Sequence, residues 1–218
     1  MNIHSYIYND VLPLLPNYPV KMVRGMFSNL TYTHIPVVED NLLIGNISEN
    51  DVQGFDPEKK IKDYQYSLDT FFVRKNANWL DVLETFAQND TNIIPVLDES
   101  NLYIGYYDLI DVVGLFTETP FLSELGGIVI VEKGSSDYSF SEIAQIVESN
   151  DGKLLGAFIS EIKDDVTQIT IKVGKSGLND IIQTFRRYSY NIVSGIEEDV
   201  YLENLKERSD YLRKFLNI

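Results

Sequence analysis

The first 120 residues contain one pattern twice, and this repetition restricts the available folds more than any other feature of the chain. The segment THIPVVEDNLLIGNISENDV (33–52) aligns with NIIPVLDESNLYIGYYDLIDV (92–112), with one residue inserted in the second turn. Pro36 then falls on Pro95, Gly45 on Gly105 and Asp51 on Asp111. Upstream, VKMVRGMFSNL matches WLDVLETFAQN, with Val23 over Val82 and Phe27 over Phe86. Each copy reads as helix, strand, tight polar turn, strand, helix. The strands are short, β-branched and bounded by Asp, Asn or Ser turn signals.

The pattern changes near ETPFLSELGG (118–127), where a helical stretch meets a Gly-Gly pair that reads as a hinge. GIVIVEK (127–133) is a strand by its β-branched run. Ser139 and Glu142 form a capping box ahead of a helical face of Phe140, Ile143, Ala144 and Val147. LLGAFIS and ITIKV are strands joined by a polar turn at KDDVTQ. Leu178, Ile181, Ile182, Phe185 and Tyr188 mark a second amphipathic helix, and YNIVSGI (190–196) supplies a fourth strand. The order β-α-β-β-α-β is ferredoxin-like. In 201–218, Leu202, Leu205, Ser209, Leu212 and Leu216 follow helical spacing, widened by Tyr201 and Phe215, so a C-terminal helix is expected.

A chain of 218 residues with 44% hydrophobic content is large enough for two cores. Its net charge of −15 repels phosphate backbones and anionic lipid, which argues against nucleic acid and membranes as partners. No cysteine is present, so disulfides, thiolate nucleophiles and cysteine metal sites are excluded. MNIHSYIYND lacks the basic and apolar regions of a signal peptide, and no apolar run approaches the ~20 residues that span a bilayer. A cytoplasmic location is the expectation.

The duplicated motif resembles the CBS-domain family, named for cystathionine β-synthase, in which two repeats pack as one pseudo-two-fold unit. The resemblance implies a tandem CBS pair over 1–122, with repeats at about 1–60 and 61–122. The β-α-β-β-α-β segment, 126–200, resembles the ACT domain. Together they are similar to acetoin-utilisation-type CBS–ACT regulators. The implied fold is α+β: a CBS pair, an ACT-like domain and a C-terminal helix. The implied function is a non-catalytic regulatory sensor that takes an adenosyl-type ligand (AMP, ADP, ATP or S-adenosylmethionine) and acts as a homodimer on a regulated protein of unknown identity. The alternative is a ligand-free dimeric interaction module. Ligand-binding ACT domains carry a Pro-Gly-type turn that GSSDYSFSEI (134–143) lacks, which favours sheet pairing over amino-acid binding.

The family pattern Gly-hydrophobic-x-Ser/Thr-x-x-Asp assigns the candidate site residues. In repeat one, Ser48 and Asp51 take the phosphate and ribose positions, while Asn46 replaces the hydrophobic residue. In repeat two Asp111 is present, but Asp108 replaces the hydroxyl, and a carboxylate repels phosphate unless a cation bridges them. At most one cleft, that of Ser48 and Asp51, is therefore expected to suit a nucleotide. His34 and Ile35 lie where the family's strand enters the cleft.

Each of these residues has an ordinary explanation as well. Ser48 and Asp108 are good N-caps, and capping alone accounts for Ser48, Asp51, Asp108 and Asp111. A lone histidine such as His34 is commonly a half-exposed strand residue. Lys21, Arg24, Arg74 and Lys75, and the run Lys59, Lys60 and Lys62, read first as solvated. With only His4 and His34, no histidine-rich metal site can form, and no GxxxxGK[ST], GxGxxG or GxSxG occurs. No enzyme is expected.

Overall fold

The computed structural model describes residues 3–175 and 177–195. The chain divides into two compact units, residues 1–116 and 117–218. The expected boundary at 122–126 lies a few residues later. The short helix at Pro120–Ser123 belongs with the second unit, because Phe121 packs on Phe158 (ring centroids 5.7 Å apart).

In the first unit, helix α1 (Val20–Phe27) precedes strands β1 (His34–Glu39) and β2 (Leu42–Ser48), and α2 (Glu49–Gly54) follows them. Strand β3 (Val73–Arg74), helix α3 (Trp79–Asn89), strands β4 (Ile93–Leu97) and β5 (Tyr103–Asp108) and helix α4 (Leu109–Thr117) build the second copy. Asp40 and Asn41, both with positive φ, close the tight β1–β2 hairpin, a conformation that Asp and Asn tolerate better than other side chains. The inserted residue of repeat two is absorbed in its turn, where Asp98 Oδ1 accepts from the N–H of Ser100 and of Leu102, each at 2.8 Å. Equivalent residues fill equivalent cores: Val23, Phe27, Val37 and Val52 in one, Val82, Phe86, Val96 and Val112 in the other.

The repeats exchange arms. Ile3, ahead of repeat one, is buried in the core of repeat two, whereas Ile61 and Leu68 return to the core of repeat one. The crossing points involve equivalent residues of the two repeats. Tyr8 and Tyr106 share two backbone hydrogen bonds (2.9 and 2.8 Å), and Asn46 and Asp69 share another two (2.7 and 2.9 Å). This crossing explains the motif glycines. A Cβ on Gly105 would stand 2.2 Å from the Tyr8 carbonyl oxygen at a φ of +141°, and one on Gly45 would stand 2.7 Å from Leu68 Cβ. The expected repeat limits of about 1–60 and 61–122 thus describe the chain order, while each core borrows its arm from across the division.

In the second unit, β6 (Gly126–Gly134), α6 (Phe140–Glu148), β7 (Leu154–Lys163), β8 (Val166–Gly174), α7 (Leu178–Arg187) and β9 (Asn191–Gly195) follow one another, after α5 (Pro120–Ser123). The sheet order is β7-β8-β6-β9, all antiparallel, which is the ferredoxin-like topology. Val129, Val131, Ile169, Ile171 and Val173 of the sheet pack against Ile143, Ile146, Val147, Ile181, Ile182 and Phe185 of the two long helices. Half of the anticipated capping box forms. Ser139 Oγ accepts from the Glu142 N–H, but the Glu142 carboxylate turns to Lys133 Nζ at 2.8 Å. Phe140 and Tyr188, expected on buried helical faces, are 43% exposed, and Ile146 takes the buried position instead. The C-terminal helix expected at 201–218 lies outside the described residues. Among the described residues no helix is long and apolar enough to cross a membrane.

Candidate functional site

Each repeat brings together the end of its hairpin, the start of the helix that follows and the crossing arm, and these two equivalent places are the candidate clefts. At their junction Thr33 and Asn92, equivalent residues, bind each other reciprocally. The Thr33 N–H donates to Asn92 Oδ1 (2.8 Å) and the Asn92 N–H donates to Thr33 Oγ1 (3.2 Å).

In the first cleft, antiparallel pairing brings His34 opposite Ser48. Ser48 leaves the strand in an extended conformation and caps α2, its Oγ accepting from the Asp51 N–H at 3.0 Å. The capping explanation therefore holds for Ser48. It does not extend to the Asp51 side chain, whose exposed carboxylate has no hydrogen-bond partner among the described residues. The arm adds two groups with no signal in the motif. Asp69 Oδ2 lies 3.3 Å from His34 Nε2, and the Phe71 ring meets the imidazole edge-on at 5.3 Å. Asn46 holds this arm in place, its Nδ2 donating to the carbonyls of Asp69 (3.3 Å) and Phe71 (2.9 Å) while its buried Oδ1 stays unpartnered.

His34 is 8% exposed rather than half-exposed. Burial pushes its pKa below the usual imidazole value, against the opposing pull of Asp69 and then of Asp51 and Asp90. The ring is thus neutral near pH 7. The tautomer that suits both neighbours carries its proton on Nε2 toward Asp69, and Nδ1 accepts from the Thr33 hydroxyl at 2.9 Å. Ile35 is brought to the same strand, but its side chain is fully buried in the core of repeat one and faces away from His34.

The second cleft is built differently. Tyr106 stands where Asn46 stands in the first, and its hydroxyl donates to Asp10 Oδ1 at 2.6 Å. Tyr32 donates to Tyr106 at 3.3 Å, and the rings of Tyr8 and Tyr32 approach that of Tyr106 at 6.2 and 5.5 Å. Burial and the hydrogen bond to Asp10 push the Tyr106 phenol far above its ordinary pKa, while the same bond lowers that of Asp10. The pKa of the Tyr8 phenol is raised by burial and then by the neighbouring Asp111. Asp108 Oδ1 accepts from the Ile110 N–H at 2.7 Å, so it caps α4 as expected. Asp111 is thereby separated from Ser48, Asp51 and His34: it faces the other cleft and already has a phenol for company.

Three of the basic residues singled out in the sequence have partners away from these places. Arg24 donates to the carbonyls of Val52 (3.0 Å), Gln53 (2.8 Å) and Phe55 (2.6 Å), which caps the C-terminus of α2, the end remote from Ser48. Arg74 binds the Asp98 carbonyl at 3.0 Å, and Lys59 lies 5.8 Å over the Tyr64 ring. Two hollows on this unit, of about 200 Å³ at Pro16, Ile44 and Lys62 and about 610 Å³ at His4, Arg74 and Glu99, border neither Ser48 nor Asp111. Among the described residues no cluster of three or more His, Asp or Glu could hold a metal ion.

Residues 4–56 match the family model of the CBS domain, and residues 92–112 repeat its hairpin in sequence and in structure. A CBS domain is thus matched within the first repeat, and the second repeat carries the same hairpin and following helix. Over 130 residues it is 26% identical to an uncharacterised protein of Methanocaldococcus jannaschii, covering 59% of this chain and 49% of that one. Over 145 residues it is 22% identical to inosine-5′-monophosphate dehydrogenase of the same organism, covering 66% of this chain and 29% of the enzyme. The chain thus spans half or less of the curated relatives it matches. Among solved structures, a CBS domain pair/ACT domain protein from Thermotoga maritima aligns over 54% of this chain and 98% of that one, with a TM-score of 0.49 and 19% identity.

Proposed function

We propose that the chain is a non-catalytic regulatory sensor whose CBS pair takes an adenosyl-type ligand in the first cleft. The observation that carries this reading is the Asp51 carboxylate, exposed and unbonded beside Ser48 and His34. A carboxylate at this place can accept from both hydroxyls of a ribose. In the second cleft Tyr8 engages the equivalent Asp111, and the phenols of Tyr32 and Tyr106 crowd the space between arm and hairpin. One ligand per chain follows. Ligand in the first cleft would bridge the hairpin of repeat one to the arm at Asp69, and would bias the pair by no more than its differential affinity for the two arrangements. The signal would pass to a homodimer partner or a regulated protein.

A thermal-shift titration with AMP, ADP, ATP and S-adenosylmethionine tests the reading. A ligand at about 100 times its dissociation constant adds ~2.7 kcal/mol. A saturable rise that disappears in Asp51→Ala is the expected result, and a flat response to all four ligands defeats the proposal.

A flat response would favour the second reading, an interaction module that works without ligand. Its support is strand β7, an edge of the ferredoxin-like sheet that exposes Phe158 (46%), Ile159 (38%) and Ile162 (66%).

A further inference from the structure

The charges around the first cleft bear on which adenosyl compound it takes, an inference that rests on the reading of that cleft as the ligand site. The groups that act electrostatically on His34 are all carboxylates: Asp69, Asp51 and Asp90. Glu49 opens the first turn of α2 beside them. His34 cannot offset this charge, because burial keeps its ring neutral near pH 7. Arg24, the cation on the neighbouring helix, spends its guanidinium on the far end of α2.

The start of α2 offers a phosphate little. Ser48 Oγ takes up the Asp51 N–H, one of the backbone donors that a phosphate there would need. Helix α2 has 6 residues, with Glu49 and Asp51 in its first turn, so its dipole is small and already opposed by acidic side chains. A phosphate placed at this end of the ribose would meet like charges, whereas a thioether would be indifferent and a sulfonium attracted.

We propose that the first cleft selects an adenosyl ligand whose 5′ substituent is neutral or cationic, and discriminates against 5′-phosphorylated nucleotides. The nucleoside part is held through Asp51, as in the reading above; the selectivity comes from the carboxylates of Asp69, Asp90 and Glu49.

Calorimetric titration of the full chain in 50 mM salt without Mg²⁺ tests this, using adenosine, 5′-methylthioadenosine, S-adenosylmethionine, AMP and ATP. The expected order is S-adenosylmethionine at least as tight as the two neutral nucleosides, with AMP and ATP at least ten-fold weaker. Raising the salt ten-fold should narrow the gap between AMP and adenosine several-fold, because screening removes the repulsion. Asp90→Asn, which keeps a residue tolerant of the left-handed backbone found there (φ 47°), should narrow it in the same direction. AMP or ATP binding as tightly as adenosine in low salt overturns the selectivity and leaves the adenosyl site standing. Failure of all five compounds overturns the site itself. A gap that ignores both salt and Asp90→Asn overturns the electrostatic cause.

Discussion

The two candidate clefts of the first unit come from one duplicated motif and have diverged in opposite ways. The first retains Ser48 and an unbonded Asp51, and its arm contributes Asp69 and Phe71 to a buried histidine. The second has Tyr106 where the first has Asn46, its phenol bonded to Asp10 and Tyr32, and the Tyr8 phenol lies within the electrostatic reach of Asp111. The backbone scaffold is the same in both, down to the arm crossing at Gly45 and Gly105. The difference teaches that the crossing is a requirement of the fold, whereas the side chains projecting from it decide whether a cleft is open or self-satisfied.

That contrast can be broken most severely at the crossing. Gly105→Ala sets a Cβ against the Tyr8 carbonyl at a φ that L-residues rarely adopt, and should cost about 3 kcal/mol or more. Gly45→Ala meets Leu68 Cβ instead, without the positive φ, and should cost less; urea unfolding of both variants gives the ranking. Equal costs would show that the crossings are not distinguished by backbone strain.

Next in size is the functional asymmetry. Asp51→Ala should abolish ligand-induced stabilisation while leaving the unliganded midpoint within ~0.5 kcal/mol of wild type, as for an exposed residue without partners. Asp111→Ala should leave affinity and a 1:1 stoichiometry intact in calorimetry. Binding lost in Asp111→Ala instead would reverse the assignment of the clefts.

Smaller effects probe what holds each arm. Asn46→Ala removes two donors to the arm carbonyls and should destabilise by about 2 kcal/mol, while Tyr106→Phe loses the bond to Asp10 and should cost about 1 kcal/mol. Chemical denaturation of the two single variants compares them directly.

The smallest effect is a pH dependence particular to the first cleft. His34 is buried neutral with its pKa below the usual value near 6.5, so the unfolded chain binds its proton first on acidification. Its contribution is complete above about pH 6.5 and is lost as the pH falls below that value. The difference in unfolding free energy between wild type and His34→Gln, measured from pH 7.5 to 5.5, should shrink toward the acid end. A constant difference would mean that the histidine titrates alike in both states.

Local signals account for what could be read without coordinates. Alternation and turn residues located the hairpins, and residue type located the Ser48 cap, because these depend on neighbours within one turn or strand, whereas the ribose role of Asp51 came only from the family resemblance. His34 read as half-exposed, since a strand pattern says which face a side chain takes but not what covers it. Asp69, Phe71, Tyr8, Asp10 and Tyr32 escaped notice for a related reason. They lie outside the repeated hairpins, on segments whose partners are distant in the chain, and pairing of that kind leaves no periodicity.

By itself the sequence determined the duplication, the order of elements in both units and the suspicion that the two repeats are unequal, since Asp108 in place of a serine is visible in the motif. Only the tertiary structure decided which arm crosses which hairpin, that Arg24 is spent on a helix end, and that His34 stands neutral among carboxylates. The physical reason is one of range. Propensity, capping and patterning act over a few residues, whereas the charge and openness of a cleft are set by groups that meet only after the chain has folded back on itself.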